Sequence, residues 1–468
     1  MQLAEHAFPV RMQRVAVVAL AGSVREVLVA LAESGTVDLT GPLGGGEGPA
    51  LEALRRVEGR RGAASRTMAA LTREPPDLAA LERRGARALL AGEVELERRR
   101  ASALRHGAFA LLVGWAPQPA LAQLGARLDG LGASLVALPT PRGRQPPTLL
   151  APAKAAEPFR PLLSTYGAVP YRDLDPTPFV AVTYCLMFGM MFGDVGDGLL
   201  IVLGALALRF ARHPRLAGLR QVWAMIAALG AAAVVFGALY GELFGPTKVL
   251  PTLWLAPVDA PTRLLAVAIV AGGWLLAAAY LIGIVNRWRE GGALAALSAS
   301  TGVPGLMLLG AGGLVALGMA AHESLLETLG VAVAAIALVP LVVGLRAEAG
   351  SGPTAALEVL IGLLDAVVRL LSNVFSFARL AAFGLMHAAI GQVVLHAAVS
   401  LTGTPIGDLA AAVLFGLGWA AAFALEGLVA AVQALRLEYY ELFSRLFTGD
   451  GCPFRPWSLP LLPTEEAQ

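Results

Sequence analysis

Cysteine is almost absent. The chain has two, Cys185 and Cys452, in 468 residues, and neither belongs to a CxxC pair or a metal-ligand spacing. That excludes a disulfide scaffold and a cysteine-built metal centre. Charge is scarce as well, at 15% of residues, against about 25% in an average soluble domain. No GxxxxGK[ST] phosphate loop occurs, so nucleotide hydrolysis is not expected of this chain. No basic tract interleaved with aromatics is present and the net charge is only +2, so nucleic acid is not an expected partner. No cofactor and no metal are expected. The N-terminal MQLAEHAFPVRMQRV lacks the apolar h-region of a signal peptide, so the soluble part is expected on the cytoplasmic side.

What the chain does have is apolar length. It is 56% hydrophobic, with a mean hydropathy of +0.66. The charges are uneven: residues 1–175 hold 22 Lys and Arg and 17 Asp and Glu, leaving 14 and 17 for residues 176–468. This predicts a cytoplasmic domain over 1–175 and a membrane domain over 176–468. In the first, Val15–Leu20, Val24–Ser34 and Val37–Leu39 read as strand, helix and strand. Ala108–Gly114, Pro119–Leu131 and Ser134–Leu138 repeat the unit, giving an α+β domain. Between them Ala50–His106, rich in Arg, Glu, Leu and Ala and broken at Pro75-Pro76, predicts a short helical hairpin. It is either a pair packed on its own domain or a partner-binding arm. Six prolines in 139–160 mark a linker.

The apolar segments after residue 175 are about 178–209, 219–245, 262–286, 296–320, 324–346, 357–399 and 407–446. A membrane-spanning helix needs about 20 residues. The first segment is interrupted by Gly193-Asp194-Val195-Gly196-Asp197-Gly198, which breaks a helix. If it crosses once, the basic loops at Arg209–Arg220, Arg287–Arg289 and Arg346 all face outside; if it is a short hairpin, all face the cytoplasm. The hairpin is therefore expected. It gives about eight membrane helices, the first two a short broken hairpin and the last two long, with the C-terminus cytoplasmic.

Ionisable groups at membrane depth are rare and usually functional. Asp365, Arg369, Ser372, Ser376 and Arg379 follow at steps of four, three, four and three, which predicts a polar stripe on one helix face. His387 continues it about two turns on. Glu426, Gln433 and Arg436 repeat the theme on the last helix. The Asp365–Arg369 pair also reads as a simple surface ion pair. Arginine stays protonated, with a pKa above about 12, and so acts as a fixed cation rather than a proton carrier. A carboxylate brought opposite it is held ionised; moved into lipid, the same carboxylate takes up a proton. No repeated carboxylate-bearing hairpin is present to supply that moving group, so a partner must.

Four blocks carry a family resemblance: DPTPFVAVTYCLMFGMMFGDVGDGL (Asp175–Leu199), FGALYGELFG (Phe236–Gly245), LSNVFSFARLAAFGLMHAAIG (Leu371–Gly391) and EGLVAAVQALRLEYYELFSRLFTGDGCPF (Glu426–Phe454). In this order they resemble the membrane stator subunit, a or I, of V/A-type rotary ATPases, and FPVRMQRVAVVAL and LVGWAP fit as well. The resemblance implies an ion-conducting subunit that does not bind nucleotide. Arg379 would be the principal arginine facing the carboxylate of a proteolipid c-ring, and Arg436 the second. Glu426 and His387 would line the half-channel open to the outside, and Asp365 the cytoplasmic path. Gln433, Ser372, Ser376, Asp194 and Glu242 are expected along the half-channels. The implied partners are the c-ring, peripheral stalk subunits, the lipid membrane and, indirectly, the central-stalk and ATP-hydrolysing subunits. The chain departs from the family at Asp197, where a His or aromatic residue is common, and in its short arm. Two other classes are an autonomous secondary transporter, which calls for matching broken helices in two repeats, and a membrane anchor without conduction. Only one break is found, and an anchor has no need of the four residues Arg379, Arg436, Glu426 and His387.

Overall fold

In a computed structural model, the structure describes all residues except 1–7, 41–47, 62–67, 142, 152–154, 248, 350, 351, 353, 448 and 463–468. Parts of the expected arm (62–67) and linker (142 and 152–154) lie outside the described residues. The chain forms two compact units, one over 9–151, 168–171 and 450–468, the other over 1–8, 152–167 and 172–449.

The first unit is built on an antiparallel sheet. Its strands are β1 (Met12–Leu20), β2 (Asp38–Leu39), β3 (Leu104–His106), β4 (Phe109–Pro117) and β5 (Ala133–Leu138). The order is β2-β4-β1-β5, with β3 also on β4, a split βαβ arrangement. β1 is central, pairing Val15 with Gly114 and Val17 with Leu135. Helix α1 (Val24–Ser34) lays Val24, Val27, Leu28 and Leu31 on this sheet. That spacing is one helix face, and the helix stops where Gly35 turns left-handed at φ 55. Helix α5 (Leu121–Asp129) adds Leu124 and Leu128 to the same core. Trp457, from the C-terminal tail, is buried there too.

The segment expected as a hairpin forms three helices, α2 (Pro49–Arg61), α3 (Leu78–Arg84) and α4 (Arg87–Ser102), and its last residues join the sheet as β3. The helices share a small core of Ala53, Val57, Leu81, Leu89 and Leu90. A bidentate pair, Arg25 Nη1 and Nη2 to Glu93 at 2.6 and 2.7 Å, ties α4 to α1. The bundle is thus packed on its own domain.

The second unit is helical: α6 (Arg160–Tyr166), α7 (Thr177–Met191), α8 (Val195–Phe210), α9 (Ala217–Gln221), α10 (Trp223–Tyr240), α11 (Pro261–Ser298), α12 (Val303–Ala321), α13 (Ser324–Glu348), α14 (Ala355–Ser376), α15 (Ala378–Val399), α16 (Pro405–Leu437), a π-helical turn over Glu438–Phe443, and α17 (Ser444–Leu446). Among the described residues, five stretches of it are long and apolar enough to cross a membrane: α10, α11, α12, α13 and α16 with its continuation to Leu446. Together they mark an integral membrane protein. Their apolar side chains stand exposed, Trp274 at 74% and Ile406 at 84% for example, as a lipid-facing surface requires.

The expected broken hairpin is present as α7 and α8, at 15 and 16 residues each too short to span. Gly189 meets Ala232 and Phe236, and Gly193 meets Tyr240, whereas Gly198 meets Gly230 and Val234. So α7 runs parallel to α10 and α8 antiparallel to it, and the chain reverses at residues 192–194. The segment 357–399, expected as one long helix, is two. The chain breaks at Phe377, whose ring is wholly buried over Gly272 of α11. Any side chain at position 272 would occupy the space of that ring. Helix α11 has 38 residues and kinks at Gly292, where φ is 77. It runs on past residue 286, where the apolar segment ends.

Candidate functional site

The break at Phe377 decides where the polar residues go. Asp365, Arg369, Ser372 and Ser376 lie on α14, and Arg379 in the first turn of α15. The stripe expected on one helix face is therefore divided between two helices. Across the junction, Arg379 Nε donates to the Ser376 carbonyl at 3.2 Å. One cavity of ≈ 690 Å³ still collects Asp365, Arg369, Ser372, Ser376 and Arg379, and adds Arg436 of α16. Asp365 and Arg369 are a half-exposed i,i+4 pair at 2.7 Å. Glu441 and Arg445, which sequence reasoning passed over, line the same cavity.

Glu441 is 4% exposed and its Oε1 accepts from Arg379 Nη2 at 3.0 Å. In a regular helix it would sit about 140° round from Arg436. The π-turn over Glu438–Phe443 bonds i to i+5, which brings residues five apart toward one face, and such turns recur at functional sites. Glu438, in the same turn, is fully buried and accepts from Thr183 Oγ1 of α7 at 2.9 Å with both oxygens. A π-turn leaves no period-3.6 signal, which is why neither glutamate stood out in the sequence.

A second polar group lies further along the same helices. His387 of α15 and Glu426 of α16 are buried and share a 2.6 Å bond from Nδ1 to Oε2. Asp194 and Glu242, also buried, bring ligand atoms within 4.8 Å of one on His387. Asp194 caps α8 and knits the broken backbone. It accepts from Asp197 N at 3.0 Å, Phe244 N at 2.9 Å and Gly245 N at 2.7 Å. Gly245 has φ 92 and lies against the backbone of Gly391, an approach that side chains at these positions would crowd. Asp197 is buried and accepts from Trp419 Nε1 at 2.9 Å. His387, Glu426 and Asp197 border a cavity of ≈ 20 Å³. Gln433 lines neither cavity, and its Oε1 is buried without a hydrogen-bond partner among the described residues.

The two groups are separated by apolar contact. On α15, Leu380, Ala381 and Gly384 are buried between Arg379 and His387, eight residues or about 12 Å apart along the helix. On α16, Ala430 and Ala434 are buried between Glu426 and Arg436, about 15 Å apart.

Two of the four motif blocks, Asp175–Leu199 and Phe236–Gly245, lie in the stretch that a family model matches. Residues 108–290 fit the model of the V-type ATPase 116kDa subunit family. The chain resembles that family over this stretch. It is 31% identical over 349 residues to an A-type ATP synthase subunit I of Aeropyrum pernix, a match covering 64% of this chain and 50% of the relative. With the same subunit of Thermococcus kodakarensis it is 26% identical, over 74% of this chain and 53% of the relative. A V-type proton ATPase 116 kDa subunit a 3 of Homo sapiens is 32% identical over 26% of this chain and 16% of its own length. The chain spans about half the length of the archaeal relatives it matches. The resemblance read from the motif blocks is thus matched: the chain is similar to subunits I and a of A-type and V-type ATPases and has membrane-spanning helices, and the archaeal relatives are named as subunit I of an A-type ATP synthase.

Proposed function

We propose that this chain is the ion-conducting stator of a rotary V/A-type ATPase. The supporting observation is the position of Arg379. It stands at the end of one polar cavity, separated by buried apolar residues from a second polar group eight residues further along its own helix. Two half-channels that do not meet are what rotary conduction needs. An ion enters by one, is carried on a moving carboxylate, and leaves by the other. The moving carboxylate belongs to a proteolipid c-ring; opposite Arg379 it is ionised, and away from it in lipid it is neutral.

The wide cavity with Asp365, Ser372, Ser376, Arg379 and Arg436 is the cytoplasmic half-channel. The narrow group at Asp194, Glu242, His387 and Glu426 is the path to the outside. Positive-inside bias supports that orientation, as well as a cytoplasmic N-domain and C-terminus in a bacterial or archaeal plasma membrane. The ion is a proton or sodium, and passage is coupled to ATP synthesis or hydrolysis in partner subunits, with peripheral stalks holding the stator still. Glu441 neutralises Arg379 whenever no ring carboxylate faces it, so the guanidinium exchanges one carboxylate for another and is never left bare at membrane depth.

The test is Arg379→Ala in the assembled complex, with ATP-driven ion uptake into sealed vesicles read beside assembly on a native gel. Assembly with uptake below a hundredth of wild type is expected. Uptake near the normal rate in the assembled variant would overturn the reading and leave a membrane anchor.

A further inference from the structure

Asp194, Glu242 and His387 are a mixed oxygen–nitrogen donor set in the interior. All three are buried, and one donor atom from each lies within 4.8 Å of the others. Contraction by about 1.5 Å would bring them to the roughly 3.3 Å spacing of ligands on a tetrahedral zinc with bonds near 2.0 Å. Three facts point to a ligand beyond the cluster itself. Glu242 is 3% exposed and its Oε2 has no hydrogen-bond partner among the described residues. His387 is 7% exposed and its Nε2 has none either. Buried polar atoms are rarely left so. Third, Glu426 Oε2 holds His387 Nδ1 at 2.6 Å. A carboxylate on one imidazole nitrogen, fixing the proton there and leaving the other nitrogen's lone pair free, is the usual support of a metal-bound histidine.

Charge argues the same way. Asp194, Glu242, Asp197 and Glu426 surround one histidine, and buried carboxylates are paired or coordinate a cation. The adjoining ≈ 20 Å³ cavity is large enough for one water-sized sphere, which needs about 10–15 Å³, so a bound ion can keep a water. An imidazole among carboxylates selects zinc and its neighbours over magnesium or calcium, which take oxygen alone.

We propose that Asp194, Glu242 and His387 bind a divalent transition-metal cation of the zinc class, with Glu426 orienting the histidine from behind. The consequence for conduction rests on the function proposed above: an ion held there occupies the narrow path. The binding claim does not depend on it and is tested separately.

Zinc is titrated into the purified full complex in detergent against a chromophoric chelator, for wild type, Glu242→Gln and His387→Gln. Glu242→Gln keeps shape and removes only an oxygen that has no partner, so folding is not at stake. One zinc per chain is expected at this site. Each variant should weaken binding at least tenfold, and magnesium in thousandfold excess should not compete. No zinc bound by wild type, or less than tenfold weakening in either variant, overturns the site. Zinc inhibition of vesicle uptake reads the conduction proposal alone.

Discussion

The two polar regions of the membrane unit share helices α15 and α16 and solve opposite problems. Around Arg379 the cavity is ≈ 690 Å³, and the side chains of Arg379 and Arg369 are 25% and 68% exposed. Around His387 the space is ≈ 20 Å³ and the side chains of His387 and Glu426 are 8% and 3% exposed. In the first, water screens charge and single contacts are worth little. In the second, the polar atoms that have a protein partner depend on it. A substitution of one chemical kind should therefore act through stability in the narrow region and through rate in the wide one.

The largest effect is expected in the narrow region. His387→Leu leaves Glu426 buried without its one side-chain bond among the described residues, at a cost of at least ~2 kcal/mol, and should abolish vesicle uptake along with part of the thermal stability. The double variant His387→Leu/Glu426→Leu replaces the pair by apolar groups and should regain that stability while uptake stays lost. Recovery of both would make the pair a packing device and erase the contrast. In the wide region, Glu441→Gln should leave assembly and melting intact. With no competing carboxylate, Arg379 holds a ring carboxylate longer, so uptake should slow about tenfold, equivalent to ~1.4 kcal/mol. A loss of assembly instead would place Glu441 among the structural residues.

The legible parts of the chain are those with a strong local period. Strand β1, helix α1 and strand β5 follow their apolar patterns closely. So does the broken hairpin, because Gly193-Asp194 leaves the helix no way to continue and Asp194 caps the next one. The break at Phe377 was hidden because nothing local marks it. The ring at the break fills the space over a glycine at 272, about a hundred residues away in sequence. Glu441 was hidden by the π-turn, and Asp197 by the expectation of another residue type, although its bond to Trp419 shows it wedged into the narrow group. Spacing within one helix found Arg379, His387 and Glu426. It could not say that the first belongs to one cavity and the other two to another.

A smaller effect is expected outside the spans. Asp173 is buried, and burial together with the nearby Glu290 carboxylate raises its carboxyl to about 7, against the pull of Arg287 and Arg289. A carboxyl raised in the folded state binds more protons there than in the unfolded chain, so stability falls as pH rises from about 4 through 7. Asp173→Asn should flatten that slope and melt higher than wild type at pH 8, with little difference at pH 4. An unchanged pH profile of thermal unfolding would show that Asp173 is ionised and paired in the native protein.

The smallest effect should come from Asp365→Asn. Its partner Arg369 is 68% exposed and Asp365 51%, so the pair contributes about 0–1 kcal/mol and melting should not move measurably. If Asp365 is a wall of a wide aqueous path and not a relay, water replaces it and uptake should fall less than threefold. The comparison sharpens on this point. A wide half-channel supplies protons by bulk water and tolerates the loss of a lining acid, whereas a narrow one passes them side chain by side chain and does not. Uptake in Asp365→Asn lowered as far as in His387→Leu would mean that the ≈ 690 Å³ cavity is closed in the working complex, with Asp365 its one relay.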